Sequence, residues 1–291
     1  MWLLLAFLSS IFAAMSTVLA KLGEKDIDST FATFLRTGVV LVFSWVIVFM
    51  TGTVRQIGQI EQSAWAFLIL SGLATGGSWL CYFRALQLGK AGSVAAVDKT
   101  STVMTIVFAF IIFDEKVTPV RIAAMVMMLV GAVAVAYDGR KKTEKTENGE
   151  PVKHRWIIYA VLSAVFAALT SILAKLGIKN IDSNLATAIR TCVVLIMSGL
   201  MLPVKSRGRK LAVPKGKQAL TLMLSGVATG GSWLCYFRAL QAGQASVVVP
   251  VDKLSIVFIA ILSRIILKEK HGIYSVIGLT LVTAGTLMML L

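Results

Sequence analysis

Six ionisable side chains interrupt stretches that are otherwise apolar: Arg36, Asp98 and Lys99, then Arg190, Asp252 and Lys253. Charge at membrane depth is costly, and its usual uses are interhelical pairing, substrate contact and proton relay. All three fit here: a latch between helices, contact with a charged solute, or a proton path through Asp98 or Asp252. Neighbours on a helix diverge by about 100°, so Asp98 and Lys99 cannot both face one partner, and an Asp98–Arg36 ion pair is the economical arrangement. Each group then keeps one lysine without a partner at its own level. Four cations, Arg36, Lys99, Arg190 and Lys253, stand against two anions, Asp98 and Asp252, a balance that favours an anionic or zwitterionic solute. Trp79, Tyr82, Trp233 and Tyr236 fall at similar depths as candidate lining residues, with an aromatic belt or plain packing as the alternative.

Other chemistries lack their residues. His154 and His271 fall in polar connections, and Cys81, Cys192 and Cys235 lie inside apolar runs without ligand spacing, so neither a metal, a disulfide nor a cofactor is expected. No nucleophile, base and orienting group can be assembled at membrane depth, which argues against an enzyme. The net charge of +15 is concentrated in residues 140–155 and 205–217 rather than on an aromatic-studded surface, which argues against nucleic acid. There is no GxxxxGK[ST] run to bind a nucleotide.

The elements that carry these residues are read from hydropathy. With 57% hydrophobic and 15% charged residues and a mean hydropathy of +0.83, the chain suits a lipid bilayer rather than water. Apolar runs long enough to cross it lie near 2–22, 30–51, 64–87, 91–113 and 118–137, and again near 156–176, 184–203, 218–240, 246–267 and 272–291. Helices are expected throughout, because backbone groups must be satisfied inside lipid. The run Trp2 to Ala20 lacks a basic leader and recurs at 156–174, so it reads as a retained span.

The segment SGLATGGSWLCYFRALQLG at 71–89 returns as SGVATGGSWLCYFRALQAG at 225–243, an offset of 225 − 71 = 154. Without gaps, that offset also superposes Arg36 on Arg190, Asp98-Lys99 on Asp252-Lys253 and Glu115-Lys116 on Glu269-Lys270. Residues 1–137 and 155–291 are therefore two copies joined by a hydrophilic linker, 138–154. Five crossings per copy thread the second copy upside down, so the expected fold is an all-α membrane protein of ten transmembrane helices in two inverted five-helix repeats. Lys and Arg crowd the loops after odd-numbered helices, which places those loops in the cytoplasm and both termini outside. Gly76-Gly77 and Gly230-Gly231 permit close helix approach or a bend, with close approach favoured. Ser16 and Thr170 are placed either to line a cavity or, as is commoner, to bond back to their own helices, and Lys21 and Lys175 are expected to snorkel to the interface.

On these motifs, with VDKTS and Asp114-Glu115-Lys116 in the first copy and VPVDKLS and Lys268-Glu269-Lys270 in the second, the chain resembles the EamA family of the drug/metabolite transporter superfamily. Each half also resembles the family's stand-alone single-repeat members. The resemblance implies ten helices, a central cavity lined by helices 1, 3, 4, 6, 8 and 9, alternating access, and substrates such as amino acids and sugars. Two departures stand out. Many two-repeat members carry basic termini, whereas Met1-Trp2-Leu3 and Met289-Leu290-Leu291 have no flanking charge. The related small multidrug family uses an acid in its first helix, and helices 1 and 6 here hold none at their centres, so polycationic drug export is not expected. The expected function is a secondary transporter of a small metabolite in a bacterial or archaeal plasma membrane, with proton or ion coupling; the alternative is a flippase for a lipid or lipid-linked sugar. Oligomeric state is left open.

Overall fold

The computed structural model describes residues 1–23, 27–88, 91–115, 118–143, 155–206, 213–266, 268 and 272–291. Eleven α-helices are described: α1 (Trp2–Gly23), α2 (Ser29–Met50), α3 (Gln62–Leu88), α4 (Ala91–Phe113), α5 (Pro119–Thr143), α6 (Arg155–Gly177), α7 (Ser183–Ser206), α8 (Lys217–Ala242), α9 (Ala245–Lys253), α10 (Ser255–Ile266) and α11 (Ile273–Met288). A 3-10 helix, Thr53–Gln59, joins α2 to α3. Among the described residues seven segments are long and apolar enough to span a membrane, α9 and α10 together forming one of them, and three shorter apolar helices accompany them. Most of the linker, residues 144–154, lies outside the described residues.

Helix starts and stops follow the repeat. Asp28 caps α2 by accepting from the amides of Thr30 and Phe31 at 2.9 and 3.1 Å, and Asp182 caps α7 in the same way, from Asn184 and Leu185. Asp114 follows α4 and Lys268 follows α10, 268 − 114 = 154 residues apart, and both are left-handed, at φ +52° and +55°. The expected single helix over 246–267 is broken instead. Pro250 cannot donate to the ladder, and the chain turns at Leu254, whose amide bonds to the Val251 carbonyl at 3.1 Å. The first copy has Ala96 at the matching place, and α4 runs on unbroken.

Packing is inside-out relative to a soluble protein. Ala, Ser, Thr and Val fill the interior, while Val42, Phe49, Ile111, Ile196 and Leu200 stand more than half exposed, as lipid-facing residues do. The first helix of each copy pairs with the third helix of the other, α1 with α8 and α3 with α6, while α5 pairs with α11 and α2 with α7. Direction follows from contacts: Ser9, Ser16 and Gly23 of α1 meet Ser232, Thr229 and Leu222 of α8, so these helices run antiparallel. Ser163, Thr170 and Gly177 of α6 meet Ser78, Thr75 and Leu68 of α3 in the same sense. Glycine makes these approaches possible, since a Cβ on Gly76 would lie 2.6 Å from Met197 Cβ and one on Gly230 would lie 2.6 Å from Phe43 Cδ1. Close packing, rather than a bend, is thus what these glycines serve.

Candidate functional site

Helix pairing across the copies brings hydroxyls and guanidinium groups together. Where α1 crosses α8, the Ser16 hydroxyl lies 2.5 Å from that of Thr229, and Ser225 donates to the Ser16 carbonyl at 2.7 Å. Arg36 reaches in from α2, donating through Nη2 to Ser16 at 2.9 Å and Thr229 at 3.2 Å. A cavity of about 280 Å³ adjoins this cluster, lined by Thr33, Arg36, Thr37, Trp79, Tyr82, Thr229 and Trp233, with Val40 at its apolar side. Of the residues predicted from sequence, Arg36, Trp79, Tyr82 and Trp233 therefore meet around one space.

The matching cluster of the other copy is buried. Ser71 donates to the Thr170 carbonyl at 2.7 Å, and Arg190 donates through Nε to Ser71 at 2.9 Å and through Nη2 to Thr75 at 3.4 Å. The guanidinium sits 4.1 Å from the Phe237 ring centroid, and Nη1 is buried without a hydrogen-bond partner among the described residues. Arg190 is 2% exposed and Thr187 0%, whereas their repeat mates Arg36 and Thr33 are half-buried at the cavity wall. Tyr236, the mate of Tyr82, donates to Ser171 at 2.8 Å and lies within electrostatic range of Arg190 and Asp252.

Asp252 accepts from Ser9 at 2.7 Å, and Ser9 in turn lies 3.1 Å from Ser232. No ion pair joins Asp252 to Arg190 among the described residues; each charge is met by hydroxyls from another helix. Lys253 borders a space of about 20 Å³ together with Thr102, Met128, Ile256 and Val282, and its charge also acts on Asp252. The side chains of Asp98 and Lys99, and with them the Asp98–Arg36 pair, lie outside the described residues.

Sequence reasoning missed a second polar assembly, at the membrane face that holds the N-terminus. Glu115 accepts from the amides of Ala245 and Ser246 at 2.8 and 3.0 Å and from the Ser246 hydroxyl, which caps α9 from another part of the chain. Lys175 pairs with Glu115 at 3.1 Å, donates to the Gly243 carbonyl at 2.9 Å and lies 4.7 Å from the Phe113 ring centroid. Lys175 thus forms an ion pair where snorkelling was expected. Burial pushes the Glu115 carboxyl up, yet the Ser246 donors and the Lys175 charge outweigh it and hold it below the usual carboxylate range. A vestibule of about 870 Å³ lies above, bordered by Trp2, Asp114, Glu115, Arg121, Lys175 and Gln244 among others. The sequence signal was the recurrence of Glu115 as Glu269 and of Lys175 as Lys21 at the repeat offset.

The family model described as the EamA-like transporter family matches residues 1–137 and 154–291. "Uncharacterized transporter in cobO 3'region" of Sinorhizobium sp is 44% identical over 134 residues, which is 46% of this chain and 95% of that protein, so it has the size of one copy. "Uncharacterized transporter YxxF" of Bacillus subtilis (strain 168) is 20% identical over 78% of this chain and 72% of its own length. A solved crystal structure with 15% identity superposes with a TM-score of 0.82, covering 99% of this chain and 94% of its own, a likeness of fold.

Proposed function

We propose, from the fact that this chain belongs to the EamA-like transporter family, that it carries a small anionic or zwitterionic metabolite across the membrane by alternating access. The chain is a multi-pass membrane transporter. What carries the finer reading is the unequal condition of two equivalent sites: Arg36 borders a cavity of about 280 Å³ while Arg190, its repeat mate, is 2% exposed. A duplicated protein has two equivalent arrangements of that kind, related by exchange of the copies, and passage between them moves access from one face to the other. The antiparallel pairings of α1 with α8 and α3 with α6 support an inverted relation between the copies.

In the occupied site Arg36 holds the anionic group of the solute. The hydroxyls of Thr33, Thr37 and Thr229 supply directional bonds, and Trp79, Tyr82 and Trp233 cover its apolar surface. The cavity lies toward the start of α2 and the end of α3, the side whose loops carry the excess of Lys and Arg, so it faces the cytoplasm. Asp252, bonded to Ser9, is the group suited to bind a coupling proton.

The test is a thermal-shift screen of purified protein against amino acids, sugars, nucleosides and phosphorylated metabolites. A ligand that raises the melting temperature of the parent, but not of Arg36→Gln, is the expected result. A ligand that stabilises both equally would remove Arg36 from the site.

A further inference from the structure

We infer that Glu115 is a gating residue: its carboxylate, clamped between the α9 N-terminus and Lys175, seals the N-terminal face and biases the resting protein toward that closed state. The inference rests on the alternating-access reading for its purpose, but the seal itself is argued from geometry that involves no substrate.

Four parts of the chain converge on this carboxylate. It comes from the α4–α5 connection, turned by Asp114 at φ +52°. It accepts from Ala245 and Ser246, the first residues of α9, and from Lys175 near the end of α6. Lys175 also grips the Gly243 carbonyl at the end of α8. One acid therefore ties the end of α4 to the junction of α8 and α9 and to the end of α6. Thr187 and Thr191 of α7, both 0% exposed, belong to the closed half of the site on this side. Parting these helix ends to open a path from the N-terminal face toward Arg190 strips the carboxylate of charge-assisted bonds.

The residues at this seam and at its repeat counterpart differ in sequence. The repeat mate of Ser246 is Gly92, since 246 − 154 = 92, which carries no hydroxyl. Arg121 donates to Gln244 at 3.0 Å across the same seam, and their mates are Ser275 and Lys90, a pair without that carbonyl acceptor. The residues of the seal on the N-terminal face thus differ in sequence from those at their repeat counterparts, and it is on this face that the arginine, Arg190, is 2% exposed.

The experiment reads accessibility in a background with Cys81, Cys192 and Cys235 replaced by serine. A reporter, Thr191→Cys, is challenged from the N-terminal face with a membrane-impermeant maleimide, in reconstituted full-length protein without substrate. Glu115→Gln is expected to raise the labelling rate roughly tenfold or more, as the loss of a buried charge-assisted bond set implies. Ser246→Gly, the milder change, is expected to raise it by a smaller factor while melting normally. Unchanged labelling in both variants, each with a parent-like melting profile, would overturn the gate. Faster labelling in a protein that no solute stabilises would uphold the gate and count against the transport reading alone.

Discussion

Arg36 and Arg190 are repeat mates that donate to mate hydroxyls, Thr229 at 3.2 Å and Thr75 at 3.4 Å, yet Arg36 is half-buried beside a cavity while Arg190 is 2% exposed. The same chemistry is therefore held in two conditions at once. Arg36 donates to Ser16 and Thr229 at the cavity wall, while Arg190 is buried against Ser71, Thr75 and the Phe237 ring.

The two arginines are expected to fail differently. Arg36→Gln abolishes ligand-induced stabilisation, whereas Arg190→Gln keeps ligand binding in the resting state and lowers turnover by roughly tenfold or more, since only the second state uses it. Binding by thermal shift and uptake into proteoliposomes separate the two effects.

Ser9 is expected to matter more than a serine in a helix usually does. Its hydroxyl, on a residue 0% exposed, donates to the part-buried Asp252 at 2.7 Å, so Ser9→Ala costs about 1–3 kcal/mol by leaving that acceptor short of a donor. Denaturation in mixed micelles checks this, with Thr17→Ala, whose hydroxyl bonds back to Ala13, as a near-neutral control.

Two helical glycines should respond with opposite sign. Gly76→Ala places a Cβ 2.6 Å from Met197 Cβ and destabilises by about 1–3 kcal/mol, as overpacking does. Gly38→Ala meets nothing within 4 Å and stabilises by about 0.5–1 kcal/mol through the lower helix entropy cost. Melting temperatures of the two variants give the comparison.

The Glu115 seal carries a signed pH dependence. Its carboxyl is held below its ordinary value, so its contribution is present above that value and is lost as pH falls through the lowered one. The charged groups facing it are Asp114 in its own connection, Arg121 of α5 and Lys175 of α6. The stability gap between parent and Glu115→Gln is expected to stay constant from neutral pH down to about pH 5 and to close below about pH 4. Closure near neutrality would mean that burial, not hydrogen bonding, governs the group.

Much of this arrangement was legible in the residues. Hydropathy located the helices, and one offset gave the pairing of Arg36 with Arg190 and of Trp79 with Trp233. What a single sequence could not supply was which hydroxyl faces across a seam. Thr170 does bond back to Phe166, as expected, but Ser16 instead meets Thr229 and Arg36 on other helices. Lys175 looked like an interfacial lysine because its partner, Glu115, lies 60 residues away on a connection rather than on a helix. Pro250 lies just before the break after Lys253, yet that Lys253 borders a space shared with Met128 and Val282 depends on tertiary packing.

Opposite threading of the two copies underlies both the transport reading and the gate, and site-directed labelling tests it most directly. Asp28 and Asn180, both exposed, stand just before α2 and in the turn before α7, at corresponding ends of the two copies. In intact cells, an impermeant thiol reagent is expected to label Asn180→Cys, and Asp28→Cys only after permeabilisation. Labelling of both from the same side would contradict the account.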